Sequence, residues 1–301
     1  LTLDLYFKGL SLRKITDTLN QFFQVKLHHE TVRRWIMRFS EMVSEYTDKL
    51  QPKLSDTWHT DEQMVKVKGK WLWNWNVLDA DTRFLIATNL TRNREIKDAR
   101  KVFQKTKTIA KESPDRIVTD GLFSYEKAIK KEFIPFRTKT KHVRLASIRA
   151  KVQNNKVERY HNTFRERDKT MRGFKTEHTA QGISDGFRTY YNFVRPHMGI
   201  SNITPSKMAG IDLDLGNNRW LNLIRLAKAN EKLEKENNFK LNYKSLSHDR
   251  YILKVFDKDG NELDCKDLGF KKTYRSEELA NKFVEFYRLF HPKFTFKIEE
   301  N

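Results

Sequence analysis

The sequence predicts an α/β protein built on a mixed β-sheet, with a helical module before the sheet and a small α+β piece after it. Two observations support this prediction. Apolar residues recur at helical spacing at the start of the chain, and from Trp58 extended runs rich in aromatic and β-branched residues replace them. Helical and extended segments then follow in the order β-β-β-α-β-α-β-α, which is typical of a sheet covered by helices.

The N-terminal module, residues 1–48, is predicted to contain two short helices. Ser11 caps the first helix, along which Ile15 and Leu19 recur at helical spacing, and the second helix covers residues 29–39. Two helices of this kind resemble a helix-turn-helix, whose second helix enters the major groove of DNA. A small helical hairpin without that role is the alternative. The candidate DNA-binding residues on the second helix are Arg33, Arg34 and Arg38.

Three extended runs open the predicted sheet, and the joints between them are short enough for hairpins. In the second run Trp71, Trp73 and Trp75 alternate along one face, and we expect them to be sheet core rather than a base-stacking platform. The runs are residues 58–67, 71–78 and 84–91. The later elements of this region are a helix over 94–111, a strand at 116–119, a helix from 124, a strand around 133–136 and a long helix over 154–167.

Four regions follow from this pattern, because the segments after the long helix change in character. A charged amphipathic helix precedes a final hairpin, turn and helix, which we interpret as a separate α+β domain of unknown role. The predicted regions are a helix-turn-helix module at 1–48, a sheet domain at 53–212, a connecting helix at 213–239 and an α+β domain at 240–301.

The charge of the chain points to a polyanionic partner. Its 59 Lys and Arg residues against 39 Asp and Glu residues give a net charge of +20, and each phosphate that such a surface neutralises releases condensed counterions. Charge alone does not separate DNA from RNA or from an anionic membrane. The single cysteine, Cys265, excludes an internal disulfide framework and a cysteine-built zinc site, and we expect a cytoplasmic, nucleoid-associated protein.

Three acidic residues form the candidate metal site. Asp61 lies in the first strand, Asp120 ends the fourth strand and Glu158 lies on the long helix. Neighbouring strands are about 4.8 Å apart, so carboxylates near one end of the sheet can share cations. Phosphodiester chemistry uses two cations roughly 3.5–4 Å apart, and oxygen ligands suit Mg²⁺ or Mn²⁺. Glu62 and Asp56, which lie near the first strand, are assigned no ligand role.

Basic residues accompany these acids. Arg165 follows Glu158 by seven residues, or two helical turns, so both project from nearly the same face and Arg165 can hold a phosphate beside the metals. The segment from Lys130 to Lys151, both included, contains eight Lys or Arg residues and one acid, which predicts a clamp on DNA; a solvated basic loop is the alternative. The candidate DNA-binding residues here are Lys139, Lys141, Arg144, Arg149 and Lys151.

Residues 58–210 resemble the catalytic domain of the Asp-Asp-Glu (DDE) insertion-sequence transposases, which share the ribonuclease-H-like fold of retroviral integrases. They are most similar to the bacterial and archaeal group named after insertion sequence six. The spacing of the acids is similar to that of the family, with 58 residues between the two aspartates and 37 between Asp120 and Glu158. The matching stretches are His59-Thr60-Asp61-Glu62, Lys70-Trp71-Leu72-Trp73, Thr119-Asp120-Gly121, Asn154-Asn155-Lys156-Val157-Glu158-Arg159, Met171-Arg172-Gly173-Phe174 and Tyr191-Asn192-Phe193-Val194-Arg195-Pro196-His197.

The resemblance implies that Asp61, Asp120 and Glu158 are catalytic residues and ligands of two Mg²⁺ or Mn²⁺ ions, and that Arg165 assists them. His59, Arg195 and His197 are motif positions to which no catalytic role is assigned, and a structural interpretation of the last two is that they lock the chain after a helix. The implied activity is that of a transposase that binds the terminal inverted repeats of its own element, cleaves double-stranded DNA and transfers the cut strand. Such a protein has to join two element ends, so we expect a homodimer or a larger assembly.

Two other functions remain open on the sequence alone. A catalytically silent or domesticated copy would bind the repeats and act as a repressor, although the three acids and Arg165 argue against it. A ribonuclease-H-like nuclease without joining activity is the second, and the predicted helix-turn-helix disfavours it, because such hydrolases need no sequence-specific DNA module.

Overall fold

The computed structural model of the chain describes residues 1–133, 140–145, 154–171, 173–242, 251–265, 268, 273–274, 276–290 and 292–300. The chain divides into two compact units, Leu1–Lys228 and Ala229–Asn301. None of the described helices combines the length and the apolar composition needed to cross a membrane.

A mixed five-stranded sheet forms the centre of the first unit. Its strands are β1 (Thr57–Val67), β2 (Lys70–Asp79), β3 (Leu85–Thr91), β4 (Arg116–Thr119) and β5 (Lys141–Arg144). The spatial order is β3-β2-β1-β4-β5; the first three strands are antiparallel, whereas β4 runs parallel to β1 and β5 runs parallel to β4. This mixed α/β sheet confirms the fold class predicted for the region.

Helices precede the sheet, cover it and extend beyond it. They are α1 (Thr2–Phe7), α2 (Leu12–Phe23), α3 (His29–Thr47), α4 (Ile96–Ala110), α5 (Phe123–Phe133), α6 (Asn155–Met171), α7 (Glu177–Thr189), α8 (Pro205–Met208) and α9 (Arg219–Asn242). Helix α7 continues directly as a π-helical segment, Tyr190–Val194, and a 3₁₀ turn follows at Met198–Ile200.

The fifth strand lies elsewhere than the sequence predicts. The expected strand around residues 133–136 is wrong at its start, because Phe133 is the last residue of α5, and residues 134–139 lie outside the described residues. The ring of Phe133 is buried and packs edge-on against the rings of Trp58 and Phe103, at centroid distances of 6.1 Å and 5.5 Å. Phe133 is therefore apolar because it packs α5 against the sheet and α4, not because it belongs to a strand.

The alternating tryptophans of β2 differ in environment. Trp75 is fully buried and its ring contacts that of Tyr125 edge-on at 5.4 Å, as expected of sheet core. Trp71, four residues earlier on the same face, is 57% exposed, so the prediction that these tryptophans are core is wrong at this position. The alternation of a strand defines a face of the sheet, but it does not say how far the covering helices extend.

The edge strand β3 has its free backbone groups satisfied by side chains. Asn192, in the π-helical segment, accepts a hydrogen bond from the Leu85 N–H (2.8 Å) and donates one to the Leu85 carbonyl (2.9 Å). Gln181 on α7 accepts one from the Leu90 N–H (2.7 Å). Unpaired edges recruit other strands, so these amides protect the edge and align α7 along the sheet.

The N-terminal helices share one hydrophobic core with the sheet. Asp48, directly after α3, forms an ion pair with the buried Arg188 of α7. Arg167 of α6 lies 3.6 Å from the ring centroid of Tyr6 and donates a hydrogen bond to the Leu10 carbonyl (3.0 Å). These contacts attach α1–α3 to the helices behind the sheet. The assignment of residues 1–48 to a helix-turn-helix domain stays a prediction.

The second unit has its own α+β core. Leu253, Val255 and Phe283 are among its buried residues. Strand β6 (Tyr251–Phe256) pairs antiparallel with β7 (Glu262–Leu263), β8 (Thr273–Tyr274) and β9 (Thr295–Glu300), and α10 (Glu277–Phe290) precedes β9. The predicted boundaries at residues 213 and 240 stay predictions.

Two glycines on α7 allow the packing of α3 to be tested. A Cβ at Gly186 would lie 2.8 Å from the Ser40 Cβ and 2.9 Å from the Phe7 ring, whereas a Cβ at Gly182 would meet only the flexible end of Met37, at 3.2 Å. We expect Gly186→Ala to lower the free energy of unfolding by about 1–3 kcal/mol through overpacking. Gly182→Ala, the control, gains up to about 1 kcal/mol of helix propensity. Urea denaturation measures both; equal effects would contradict the close approach of α3 to α7.

Candidate active site

The register of β1 with β4 brings two aspartates together. These parallel strands align Trp58 with Ile117 and His59 with Val118, so Asp120, two residues further along, comes opposite Asp61. The carboxylates of Asp61, Glu62 and Asp120 offer oxygen atoms that all lie within 4.8 Å of one another. The structure therefore assembles two of the three predicted acids and adds Glu62 to them.

Glu62 was assigned no ligand role, and the structure places it inside the acidic cluster. It is buried, accepts a hydrogen bond from the Tyr125 hydroxyl and forms an ion pair with Arg94. Burial raises the pKa of Glu62, and the Tyr125 hydrogen bond and Arg94 oppose that rise. Arg94 also reaches Asp120, at 3.5 Å. The one sequence signal for Glu62 is its position next to Asp61; its two partners are distant in the chain.

The electrostatics of Asp61 fit a cation-binding role. Burial, followed by the charges of Glu62 and Asp120, raises the pKa of Asp61 to about 8; Glu158 adds to the rise, and a hydrogen bond from the Glu62 N–H opposes it. A carboxylate so crowded by other carboxylates gains from a divalent cation. The donor set consists of hard oxygen atoms, which Mg²⁺ and Mn²⁺ prefer. The residues present therefore fit such an ion.

Glu158 lies in the first turn of α6, where its side chain is exposed. It is outside the group of oxygen atoms that lie within 4.8 Å of one another, but its charge raises the pKa of Asp61.

Asn154, directly before α6, holds the helix on β1. Its side chain accepts a hydrogen bond from His59 Nδ1 (2.9 Å) and donates one to the Thr60 carbonyl (3.2 Å). The motif residues His59 and Asn154 thus position the start of α6 beside the aspartates.

A second contact between α6 and the sheet lies next to Asp61. His161 is buried, and burial, with the charge of Arg165, lowers its pKa to about 3, so its ring is neutral. Its Nε2 accepts a hydrogen bond from the Asn76 side-chain amide at 3.1 Å. The ring proton is then on Nδ1, which lies 3.6 Å from Asp61 Oδ2. His161 is therefore a neutral neighbour of the Asp61 carboxylate, beyond hydrogen-bond distance.

Arg165 is exposed two turns after Glu158 on α6, and it forms no ion pair with any described residue. Its role in catalysis stays a prediction.

Two other motif residues, Arg195 and His197, contact neighbouring parts of the chain. Arg195 donates a hydrogen bond to the Thr163 hydroxyl (3.2 Å). The ring centroids of His197 and Tyr191 are 4.3 Å apart, and His197 Nε2 donates a hydrogen bond to the Tyr191 backbone carbonyl (3.1 Å). These contacts favour the interpretation that Arg195 and His197 lock the chain after the π-helical segment.

The predicted DNA-binding residues fall into three groups. On α3, Arg33 forms an exposed ion pair with Glu30 at 2.6 Å, whereas Arg34 and Arg38 are exposed without an ion pair to any residue the structure describes. On β5, Lys141 and Arg144 are exposed, and the Arg144 guanidinium adjoins Gly121, the residue after Asp120. The predicted contacts Lys139, Arg149 and Lys151 lie outside the described residues.

The chain is similar in sequence to known transposases and in structure to solved viral proteins. Two Staphylococcus aureus proteins are 26% identical to the chain and cover 60% of it: the transposase for insertion sequence-like element IS431mec of strain N315, over 184 residues and 78% of its length, and the transposase for insertion sequence element IS257 in transposon Tn4003, over 185 residues and 79% of its length.

Two viral structures align with 53% of the chain. The HTLV-2 integrase catalytic core domain in complex with magnesium aligns over 98% of its length, with a TM-score of 0.39 and 12% identity. The simian T-cell lymphotropic virus intasome in complex with PP2A regulatory subunit B56 gamma aligns over 56% of the matched chain, with a TM-score of 0.41 and 11% identity.

The family model that matches is that of a DDE domain, over residues 55–197. This match contains all three predicted acids and Arg165, and it begins two residues before β1. The resemblance inferred from the motifs is confirmed by this model and by the two staphylococcal relatives. Residues 55–197 therefore form a DDE domain, and the chain is similar to the DDE transposases of insertion sequences.

Proposed function

We propose that this transposase binds the terminal inverted repeats of its own insertion sequence and cuts and rejoins DNA at Asp61, Asp120 and Glu158. One observation supports the proposal above the others. The parallel register of β1 and β4 sets Asp120 beside Asp61, while α6 presents Glu158 close enough to raise the pKa of Asp61. Water cleaves a strand and leaves a 3′-hydroxyl, which then attacks a phosphodiester of the target at the same site.

Mg²⁺ or Mn²⁺, two ions per site, would be held by Asp61, Asp120 and Glu158, with Glu62 beside them. Bound there, the ions supply activation of the attacking oxygen and charge stabilisation for the leaving oxygen. The chain itself positions the reactants. Arg165 on α6 and Arg144 on β5 are exposed cations, and Arg144 adjoins Gly121 after Asp120. Both are proposed to hold phosphates of the bound strand.

Recognition of the element ends is assigned to α3. Its exposed cations Arg34 and Arg38 are one turn apart, so both face the same side of the helix. Through Arg188 and Arg167 the N-terminal helices are attached to the catalytic unit, so a bound repeat would be held in a fixed relation to the acids. Since two element ends have to be joined, the active form is a homodimer or a larger assembly.

The first test removes charge from the proposed ligands. Asp120→Asn and Glu158→Gln keep side-chain size but lose the charge that retains the cation, so each should reduce strand cleavage by several orders of magnitude. A plasmid that carries the element ends, incubated with Mg²⁺ and with a chelator, provides the assay. Asp56→Asn is the control, because Asp56 is exposed directly before β1 and outside the acidic cluster. Active Asp120→Asn or Glu158→Gln protein, or an inactive control, would place the site elsewhere.

The second test concerns Arg165. Arg165→Ala should lower the rate of strand transfer, while the melting temperature stays nearly unchanged, because an exposed helical arginine without an ion pair adds little stability. Arg167→Ala is the contrasting variant: Arg167 is buried against Tyr6, so its removal should lower the melting temperature. Normal strand transfer by Arg165→Ala protein would remove this residue from the mechanism.

The third test compares two neighbouring arginines on α3. Glu30 already pairs with Arg33, whereas Arg34 is exposed and unpaired within the described structure. Arg34→Ala should therefore weaken binding to element-end DNA more than Arg33→Ala does. It should also reduce the slope of log affinity against log salt by about 0.9 for each phosphate that the protein no longer neutralises. Fluorescence anisotropy across a salt series measures both quantities. Equal affinities and slopes would assign recognition to another surface.

A further inference from the structure

The outer half of the β1–β2 hairpin has one uncovered face. Met64 and Lys66 of β1 are cross-strand partners of Trp73 and Trp71 of β2, so all four side chains lie on that face. Met64 is 49% and Trp71 57% exposed, although both are large apolar side chains. The helices that bury Trp75 therefore end before they reach this part of the hairpin.

Cations accompany the exposed tryptophan. The Lys66 Nζ lies 5.8 Å from the centroid of the Trp71 ring. Lys68 and Lys70 are exposed at the turn of the hairpin, and none of these three lysines forms an ion pair within the described part of the chain. An exposed aromatic ring with unneutralised cations around it is the combination that binds single-stranded nucleic acid: the ring stacks on a base and the cations contact the phosphates.

The same face leads to one member of the acidic cluster, whereas Asp61 lies on the opposite face with its cross-strand partner Asn76. Glu62, two residues before Met64 on β1, is in the acidic cluster, and its cross-strand partner is Trp75. Arg94 lies 4.7 Å from the centroid of the Trp73 ring while it pairs with Glu62. From Glu62 to Lys66 is four residues of strand, roughly 13 Å. One bound strand can therefore contact both Lys66 and Glu62.

We propose that Trp71, Lys66 and Lys68 form a binding site for an unpaired DNA strand next to the phosphate that is cut. A base stacks on Trp71, and the phosphates on either side of it pair with Lys66 and Lys68. The strand then follows the hairpin past Arg94 to the acids. A base presents its ring face only when it is unpaired or terminal, so this surface binds frayed ends in preference to intact duplex. The inference rests on the proposed function and deepens it.

The test uses the full chain without divalent metal and a fluorescein-labelled oligothymidylate as the probe. Trp71→Ala should weaken binding of this probe about tenfold or more, whereas Trp71→Phe, which keeps an aromatic ring, should retain most of the affinity. Lys66→Gln should weaken binding and reduce the salt slope by about 0.7, the value for one phosphate of a single strand. Lys297→Gln is the matched control: it removes a strand lysine near an aromatic ring, Phe256, in the second unit, with the same change in charge.

The outcomes separate this inference from the proposed function. Parent-like binding by Trp71→Ala protein, in a chain whose parent cleaves element-end DNA with Mg²⁺, would overturn the inference alone. A parent that neither binds nor cleaves DNA would overturn the proposed function as well. If Trp71→Ala instead changes the oligomeric state in size-exclusion chromatography and leaves affinity for the probe unchanged, the surface is a protein interface and the proposal is wrong. Trp71 is mostly exposed, so melting temperatures should match those of the parent and exclude misfolding as a cause.

Discussion

Parallel pairing of β4 with β1 is the constraint on which the acidic site depends. The two strands share only a short register, Thr57 to His59 against Arg116 to Val118, yet that register decides which carboxylates meet. A slip of one residue would turn Asp120 to the other face of the sheet. Ile117 and Val118 point to opposite faces of β4 and both are buried, so a slip would force the packing on both faces of the strand to change. The geometry of the acids thus follows from apolar packing in the strands that precede them.

Helix α6 depends on a different kind of interaction. Its first turn is held on β1 by neutral hydrogen bonds from Asn154, and His161 connects it to Asn76 of β2. Buried hydrogen bonds are directional and costly to break, so they define the position of Glu158 more narrowly than apolar contacts would. These contacts of α6 add no charge beside Asp61, in contrast to Arg94, which pairs with Glu62 and Asp120.

The charge distribution of the chain has two opposing parts. A net charge of +20 favours contact with DNA, whereas the acids at the end of β4 repel phosphate. Arg94 lies between these parts, since it pairs with Glu62 and Asp120 and also lies over the Trp73 ring. Lys66, the nearest of the hairpin lysines beyond it, is four strand residues, or roughly 13 Å, from Glu62. The basic side chains would therefore attract the phosphates of a bound strand along its length. The carboxylates would repel only the phosphate next to them, where bound metal ions would compensate the repulsion.

The sequence by itself determined the order of strands and helices, the proximity of Asp61 to Asp120, and the similarity to insertion-sequence transposases. These properties depend on local periodicity and on short motifs, which are readable without coordinates. The tertiary structure decided three other matters. It placed Glu62 in the acidic cluster, where Arg94 and Tyr125 contact it, and it determined the position of β5. It also left Trp71 exposed on the same strand as the buried Trp75. Each depends on which helices cover a face and where that cover ends. Strand alternation assigns a side chain to a face, but only the packing of distant segments determines whether that face is buried, charged or open to a ligand.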